Sequence, residues 1–280
     1  MDFFVKALEI LDWRMQRPTM YGWFHWMWLA LTIAACVLLW RYCRNTPVER
    51  TRAAVFWTAV VVLVLELYKQ INYTFGYDTG TVTVDFQWYA FPWQFCSMPM
   101  YVGFLMGIMR KGKIHDALAA FLATYAVFAG VCVLLYPSDV FISTIGINVQ
   151  TMICHCSMIV IGVYLMVTGY VKLEHKTILK AIPVFAVAVG LAAIMNEIAY
   201  YSGLLETDTF NMFFISPHCE PSLPVYSLVQ QVVPFPFCLI IYIAAFSLAA
   251  YLILLIAMGI QSILRSVRGH KVLALLVFMQ

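Results

Sequence analysis

The chain has 280 residues, 63% of them hydrophobic and 11% charged, with a net charge of +3 and a mean hydropathy of +0.85. A soluble domain is about 45–50% apolar and about 25% charged, so an ordinary soluble fold is excluded. So small a net charge gives no footprint for nucleic acid.

Residues 1–17 place Phe4, Leu8, Leu11 and Met15 at helical spacing with charges between them, which predicts a short interfacial helix. Seven apolar runs follow, at about 20–40, 53–72, 92–110, 114–136, 147–170, 178–202 and 225–260. A bilayer core about 30 Å thick needs roughly 20 apolar residues per spanning helix. Lipid offers the backbone no hydrogen bonds, so segments of this length must be helical. The expected architecture is all-α: a polytopic membrane protein with a seven-transmembrane-helix bundle, one integral membrane domain over 1–280. The first run ends in Arg41 and Arg44 and reads as a signal anchor, not as a cleaved signal peptide. Pro234 and Pro236 predict a kink in the last run, because proline lacks a donor.

The connecting loops alternate in charge. Arg41, Arg44, Arg50 and Arg52 follow the first run, Arg110, Lys111 and Lys113 the third, and Lys172, Lys176 and Lys180 the fifth. Arg265, Arg268 and Lys271 follow the seventh. The second, fourth and sixth loops carry Asp78, Asp85, Asp139, Glu206, Asp208 and Glu220. The positive-inside rule then puts the N-terminus outside and the C-terminus in the cytoplasm, in the plasma membrane if the cell is bacterial. Of the eight cysteines, only Cys43 and Cys219 fall in loops, on opposite sides, so no disulfide framework is expected. The long loops 73–91 and 203–224 are rich in aromatic residues, including Trp88, Tyr89, Phe210, Phe213 and Phe214. They read as an interfacial aromatic belt or as a lid.

Polar groups inside a span are costly and therefore informative. Cys96 lies about 6 Å into the third run and His155 about 12 Å into the fifth, both from the same side. Gln94 precedes Cys96, Asn196 and Glu197 sit near the end of the sixth run, and Gln230 and Gln231 lie early in the seventh. Glu66 and Lys69, at i and i+3, are placed to pair with each other. All these groups fall in the half of the membrane beneath the long loops. A lone cysteine in a span is a small apolar filler, or a nucleophile when a histidine at matching depth takes its proton. Asn196 is an interhelical hydrogen-bonding residue or a donor to a developing oxyanion. Cys154, His155 and Cys156 diverge by about 100° per residue around a helix and cannot chelate one ion, so neither metal nor cofactor is expected.

Beyond these groups, the chain carries Pro92-x-x-x-Cys96, then His155 in a later helix 59 residues on, then Asn196 at a helix end. Asn211-Met212-Phe213-Phe214, Pro217, Pro221-Ser222-Leu223 and the Pro234/Pro236 helix start follow. In these motifs it resembles the family of YwaF-type bacterial membrane proteins and transmembrane protein 164, over most of its length. The resemblance implies a cysteine-dependent phospholipid acyltransferase, with Cys96 and His155 as the catalytic pair. The animal member acts on arachidonoyl-containing ether phospholipids. Two departures, Cys154 before the histidine and no glycine-rich turn between Asn196 and Asn211, leave the acyl chain and headgroup open.

The function expected is therefore acyl transfer between membrane phospholipids, donor and acceptor, through an acyl-thioester on Cys96 with His155 as base. Asn196, Asn211, Gln94 and Gln230 are the candidates for oxyanion or substrate contacts. The alternatives are an intramembrane lipid hydrolase, or a receptor or transporter binding a small solute in a pocket beneath the long loops.

Overall fold

The computed structural model describes residues 2–78, 81–137, 139–203, 205, 209–220 and 223–278. Glu206, Asp208, Pro221 and Ser222, named above, lie outside them. The helices are α1 (Asp2–Leu11), α2 (Trp23–Tyr42), α3 (Val48–Thr74), α4 (Met98–Ile108), α5 (Lys113–Phe121) and α6 (Val127–Leu135). Then come α7 (Ile145–Val167), α8 (Lys176–Ser202), α9 (Pro224–Val232) and α10 (Phe237–Phe278).

Among the described residues, six helical stretches are long and apolar enough to cross a membrane: Trp23–Tyr42, Val48–Thr74, Lys113–Leu135, Ile145–Val167, Lys176–Ser202 and Phe237–Val267. The run expected at 92–110 forms a shorter apolar helix, Phe95–Ile108. At 1.5 Å per residue its α-helical part is only about 16 Å long. The chain before it descends instead through two 3-10 turns, Trp88–Ala90 and Phe95–Ser97. This short helix still runs antiparallel to α3, since Arg52 Nε, at the start of α3, donates to Gly107 O at 2.7 Å near the end of α4.

Three other boundaries depart from the sequence reading. The run at 225–260 is two helices, because Pro234 and Pro236 interrupt the backbone ladder between α9 and α10. The last helix continues through the basic tail to Phe278. The helix expected over 1–17 stops at Leu11, and the residues after it are stitched to the loop before α7. Met15 N donates to Ser143 O, Ile145 N to Trp13 O, and Thr144 Oγ1 to Asp12 Oδ1, all within 3.0 Å.

A two-stranded hairpin, Phe75–Asp78 paired antiparallel with Thr81–Val84, extends α3 at one end of the bundle. The same end carries the loops before α4 and α7 and the long connection between α8 and α9. The opposite end gathers the three basic loops. Gly203 ends α8 in the left-handed conformation, φ 63°, which a residue with a Cβ adopts poorly.

The core lies between α4, α5, α6, α8 and α10. Phe121, Tyr125 and Phe185 are fully buried there, and Tyr125 and Ser247 share a hydroxyl hydrogen bond at 2.5 Å. A turn of π-helix, Leu122–Ala126, joins α5 to α6, and Gly162 of α7 packs closely against it. A Cβ built there would lie 2.1 Å from Val127 Cγ2 and 2.8 Å from Leu122 O. We expect Gly162→Ala to destabilise the protein by about 1–3 kcal/mol through overpacking. Thermal unfolding of the purified variant in detergent checks this, and an unchanged midpoint would contradict such close packing.

Candidate functional site

Cys96 sits on the 3-10 turn Phe95–Ser97, directly before the N-terminus of α4. Pro92 and Pro99 flank this turn. Pro99, at the first positions of the helix, lacks an N–H that would otherwise go unpaired. The thiol is therefore half-buried at the positive end of an 11-residue helix dipole. Its own backbone N–H and the Ser97 hydroxyl lie beside the sulfur.

The end of α3 supplies charge. Lys69 Nζ contacts Glu66 Oε1 at 2.7 Å, with both side chains largely buried, and Gln70 Nε2 donates to the same oxygen at 2.8 Å. Gln70 also bonds Ala90 O at 2.8 Å, fixing the loop before α4 to α3. A charge removed from water needs such partners. Lys69 and Glu66 are within electrostatic reach of Cys96, and Lys69 also of His155.

His155, 5% exposed, lies on α7. Its Nδ1 is 2.7 Å from Thr151 O, one turn earlier. A carbonyl only accepts, so the neutral ring carries its proton on Nδ1 and leaves the Nε2 lone pair free. Gly130 of α6 fits against this residue, where a Cβ would come within 2.7 Å of the His155 carbonyl. The turn holding Cys96 packs on the same helix, α6. No hydrogen bond joins the Cys96 thiol to His155 among the described residues. The neighbours of His155 point different ways. Cys154 packs with Val62, Met100 and Tyr101, within reach of Cys96, and Cys156 packs towards Phe24 and Met152. Among the described residues no three His, Cys, Asp or Glu side chains gather as a metal site.

The connection between α8 and α9 folds back into the bundle. Phe210, Met212, Phe213, Ile215 and Ser216 are all buried, in irregular backbone. Such backbone needs partners, and three of the predicted polar residues supply them. Asn196 pairs with Met212 as a strand would, donating to its carbonyl at 3.0 Å and accepting from its N–H at 2.8 Å. Gln94 donates to Asn211 O and accepts from Phe213 N, both at 2.9 Å. Asn211 Oδ1 accepts from Ser216 N at 3.0 Å. Gln94 and Asn196 thus hold this loop, each through its carbonyl oxygen and one of its two amide N–H groups. Asn211 keeps its amide N–H groups unbonded among the described residues. Gln230 donates to Ser216 O at 3.5 Å, while its Oε1 is buried without a partner among the described residues.

Tyr242 OH adds a hydrogen bond to Phe213 O at 3.1 Å. Phe213 and Phe214 both have positive φ, 58° and 56°, a strained conformation for bulky residues. The surrounding hydrogen bonds hold them there. The Phe213 ring stacks on Phe95 at 5.9 Å, so the loop packs directly on the residue before Cys96. Sequence reasoning did not single out Tyr242, or Cys154 as a neighbour of Cys96. Tyr242 lies in an apolar run, and Cys154 adjoins His155 with nothing in the sequence to say which helix it faces. We expect Asn196→Ala to leave Met212 unpaired on both sides and to cost about 1–3 kcal/mol. A thermal midpoint equal to wild type would show that Asn196 does not hold the loop.

A model of the TMEM164 family matches residues 20–258, from just before α2 into α10. The chain belongs to the TMEM164 family. Together with its apolar helices, this makes it a multi-pass membrane protein. The match takes in Cys96, His155 and the buried loop, and leaves out α1 and the end of α10. Comparison with curated proteins and with solved structures finds no match.

Proposed function

We propose that the protein is a membrane phospholipid acyltransferase that uses Cys96 as nucleophile and His155 as base. The observation that carries this reading is the hydrogen bond from His155 Nδ1 to Thr151 O, which leaves Nε2 a proton acceptor. In this reading that acceptor serves the thiol of Cys96, which precedes the N-terminus of α4.

Cys96 Sγ attacks the ester carbonyl of a donor phospholipid while its proton passes to His155 Nε2. The negative charge forming on sulfur and then on the carbonyl oxygen meets the positive end of α4 and the Lys69 ammonium. The C–O bond breaks, and the lysolipid alkoxide leaves with the proton from His155. An acyl-thioester remains. The hydroxyl of an acceptor lysolipid then gives its proton to His155 and attacks the thioester, restoring the thiol. In this reading Asn211 donates to the oxyanion or the headgroup, and Gln230 Oε1 accepts from a headgroup hydroxyl. Among the described residues no hydrogen bond joins the Cys96–His155 pair. In the proposed mechanism the hydrogen bond between Cys96 Sγ and His155 Nε2 forms in the lipid complex, where catalytic contacts tighten.

In this reading the short α4 with its leading turns completes a seventh crossing. The basic loops face the cytoplasm, the N-terminus is outside, and the site opens to the outer leaflet. Exchange between lipids needs no acyl-CoA, which suits that leaflet.

The test places purified protein in vesicles with a phospholipid carrying an isotope-labelled acyl chain and an unlabelled lysolipid. Mass spectrometry should find the label moved into the acceptor. Label appearing only as free fatty acid would make the protein a hydrolase. No change in any lipid would end the enzymatic reading in favour of a binding protein.

A further inference from the structure

A cavity of about 340 Å³ lies at the basic end of the bundle, between α2, α7 and α10. Val163 and Val167 of α7 and Ala257, Ile260 and Leu264 of α10 line its apolar part. Arg44, Arg265 and Gln261 also line it, and no carboxylate among the described residues does. We propose that this groove is a binding site for a phospholipid with an anionic headgroup, separate from the Cys96 site.

Two features argue for that occupant. The first is preorganised charge. Arg44 is half-buried, donates through Nε to Trp40 O at 2.8 Å, and sits over the Trp40 ring at 4.1 Å. Neither Arg44 nor Arg265 forms an ion pair among the described residues. Such a guanidinium keeps its terminal N–H groups for a planar or tetrahedral oxyanion, and two of them match one phosphate. The second feature is the join between charge and hydrocarbon. The apolar walls belong to helices long and apolar enough to cross a membrane. An acyl chain against those walls sets its phosphate at the level of the basic loops, where Arg44 follows α2 and Arg265 lies near the end of the apolar stretch of α10. A soluble anion would use the arginines and leave the apolar walls without a partner. The groove also lies away from the proposed catalytic residues, since Val163 is about 12 Å along α7 from His155.

Native mass spectrometry of the full chain released from detergent tests the site, with phosphatidylglycerol and phosphatidylcholine offered at equal concentration. Wild type should retain phosphatidylglycerol preferentially. Arg44→Ala with Arg265→Ala should weaken that retention by about tenfold or more and leave phosphatidylcholine retention unchanged. Ala257→Trp fills the groove without touching either charge and should weaken retention to a similar degree. It therefore also decides the matter if the double variant does not fold. Equal retention of phosphatidylglycerol by wild type and either folded variant would overturn the proposal. So would full displacement of the lipid by millimolar inorganic phosphate, which would make the groove a simple anion site.

Discussion

Cys96→Ser should reduce acyl transfer by on the order of 10³-fold or more, the loss expected when a nucleophile is removed. Serine keeps nearly the same shape and is a much weaker nucleophile at its ordinary protonation state. If Cys96 only filled space beside Phe95, the same change would cost about 1.5 kcal/mol of stability at most and leave turnover near wild type. The two roles therefore separate cleanly, provided expression and unfolding midpoint are measured alongside activity. The control is Cys156→Ser, which alters a thiol on the opposite face of α7, packed towards Phe24 and Met152. Cys154→Ser is not an equivalent control. Its sulfur accepts from Gln150 Nε2 at 3.3 Å and lies in the neighbourhood of Cys96. Transfer at near-wild-type rate by Cys96→Ser would remove the cysteine mechanism.

His155→Ala should lower the rate by about 10²–10⁴-fold, the range for a positioned general base. It should also slow alkylation of Cys96 by a lipid-soluble maleimide, because no acceptor would remain for the thiol proton. A purely structural histidine predicts otherwise. Its ring satisfies Thr151 O, so its loss would lower stability while the alkylation rate of folded protein stayed the same. Measuring both on the same preparation distinguishes a base from a packing residue. An unchanged rate of transfer in folded His155→Ala would contradict the assignment.

Hydropathy made the helices at 23–42, 48–74, 113–135, 145–167 and 176–202 readable to within a few residues, because each is a long apolar run between charged loops. It failed where apolar composition and helical length part company. The run at 92–110 is mostly apolar, yet the chain leading into its helix forms 3-10 turns and is pinned by Gln70, Gln94 and Tyr101. The prolines at 234 and 236 were visible, but a kinked helix and two separate helices share one pattern. The Phe75–Val84 hairpin was missed, although the β-branched Thr81-Val82-Thr83-Val84 run signals a strand. At the site, the Glu66–Lys69 pairing followed from their i, i+3 spacing. The roles of Gln94 and Asn196 did not, because an amide's partner is decided by a loop more than ten residues away. Those two amides hold the buried loop that packs onto Phe95, and so act on Cys96 through position.

The central claim is a covalent acyl-thioester on Cys96, and intact-mass and peptide mass spectrometry test it most directly. Protein incubated with donor phospholipid, but no acceptor, should gain the mass of one acyl chain. That mass should map to the peptide containing Cys96, disappear on treatment with neutral hydroxylamine, and be absent from Cys96→Ser. Lipid turnover with no hydroxylamine-sensitive acyl mass on Cys96, or with the acyl chain on another residue, would contradict the account.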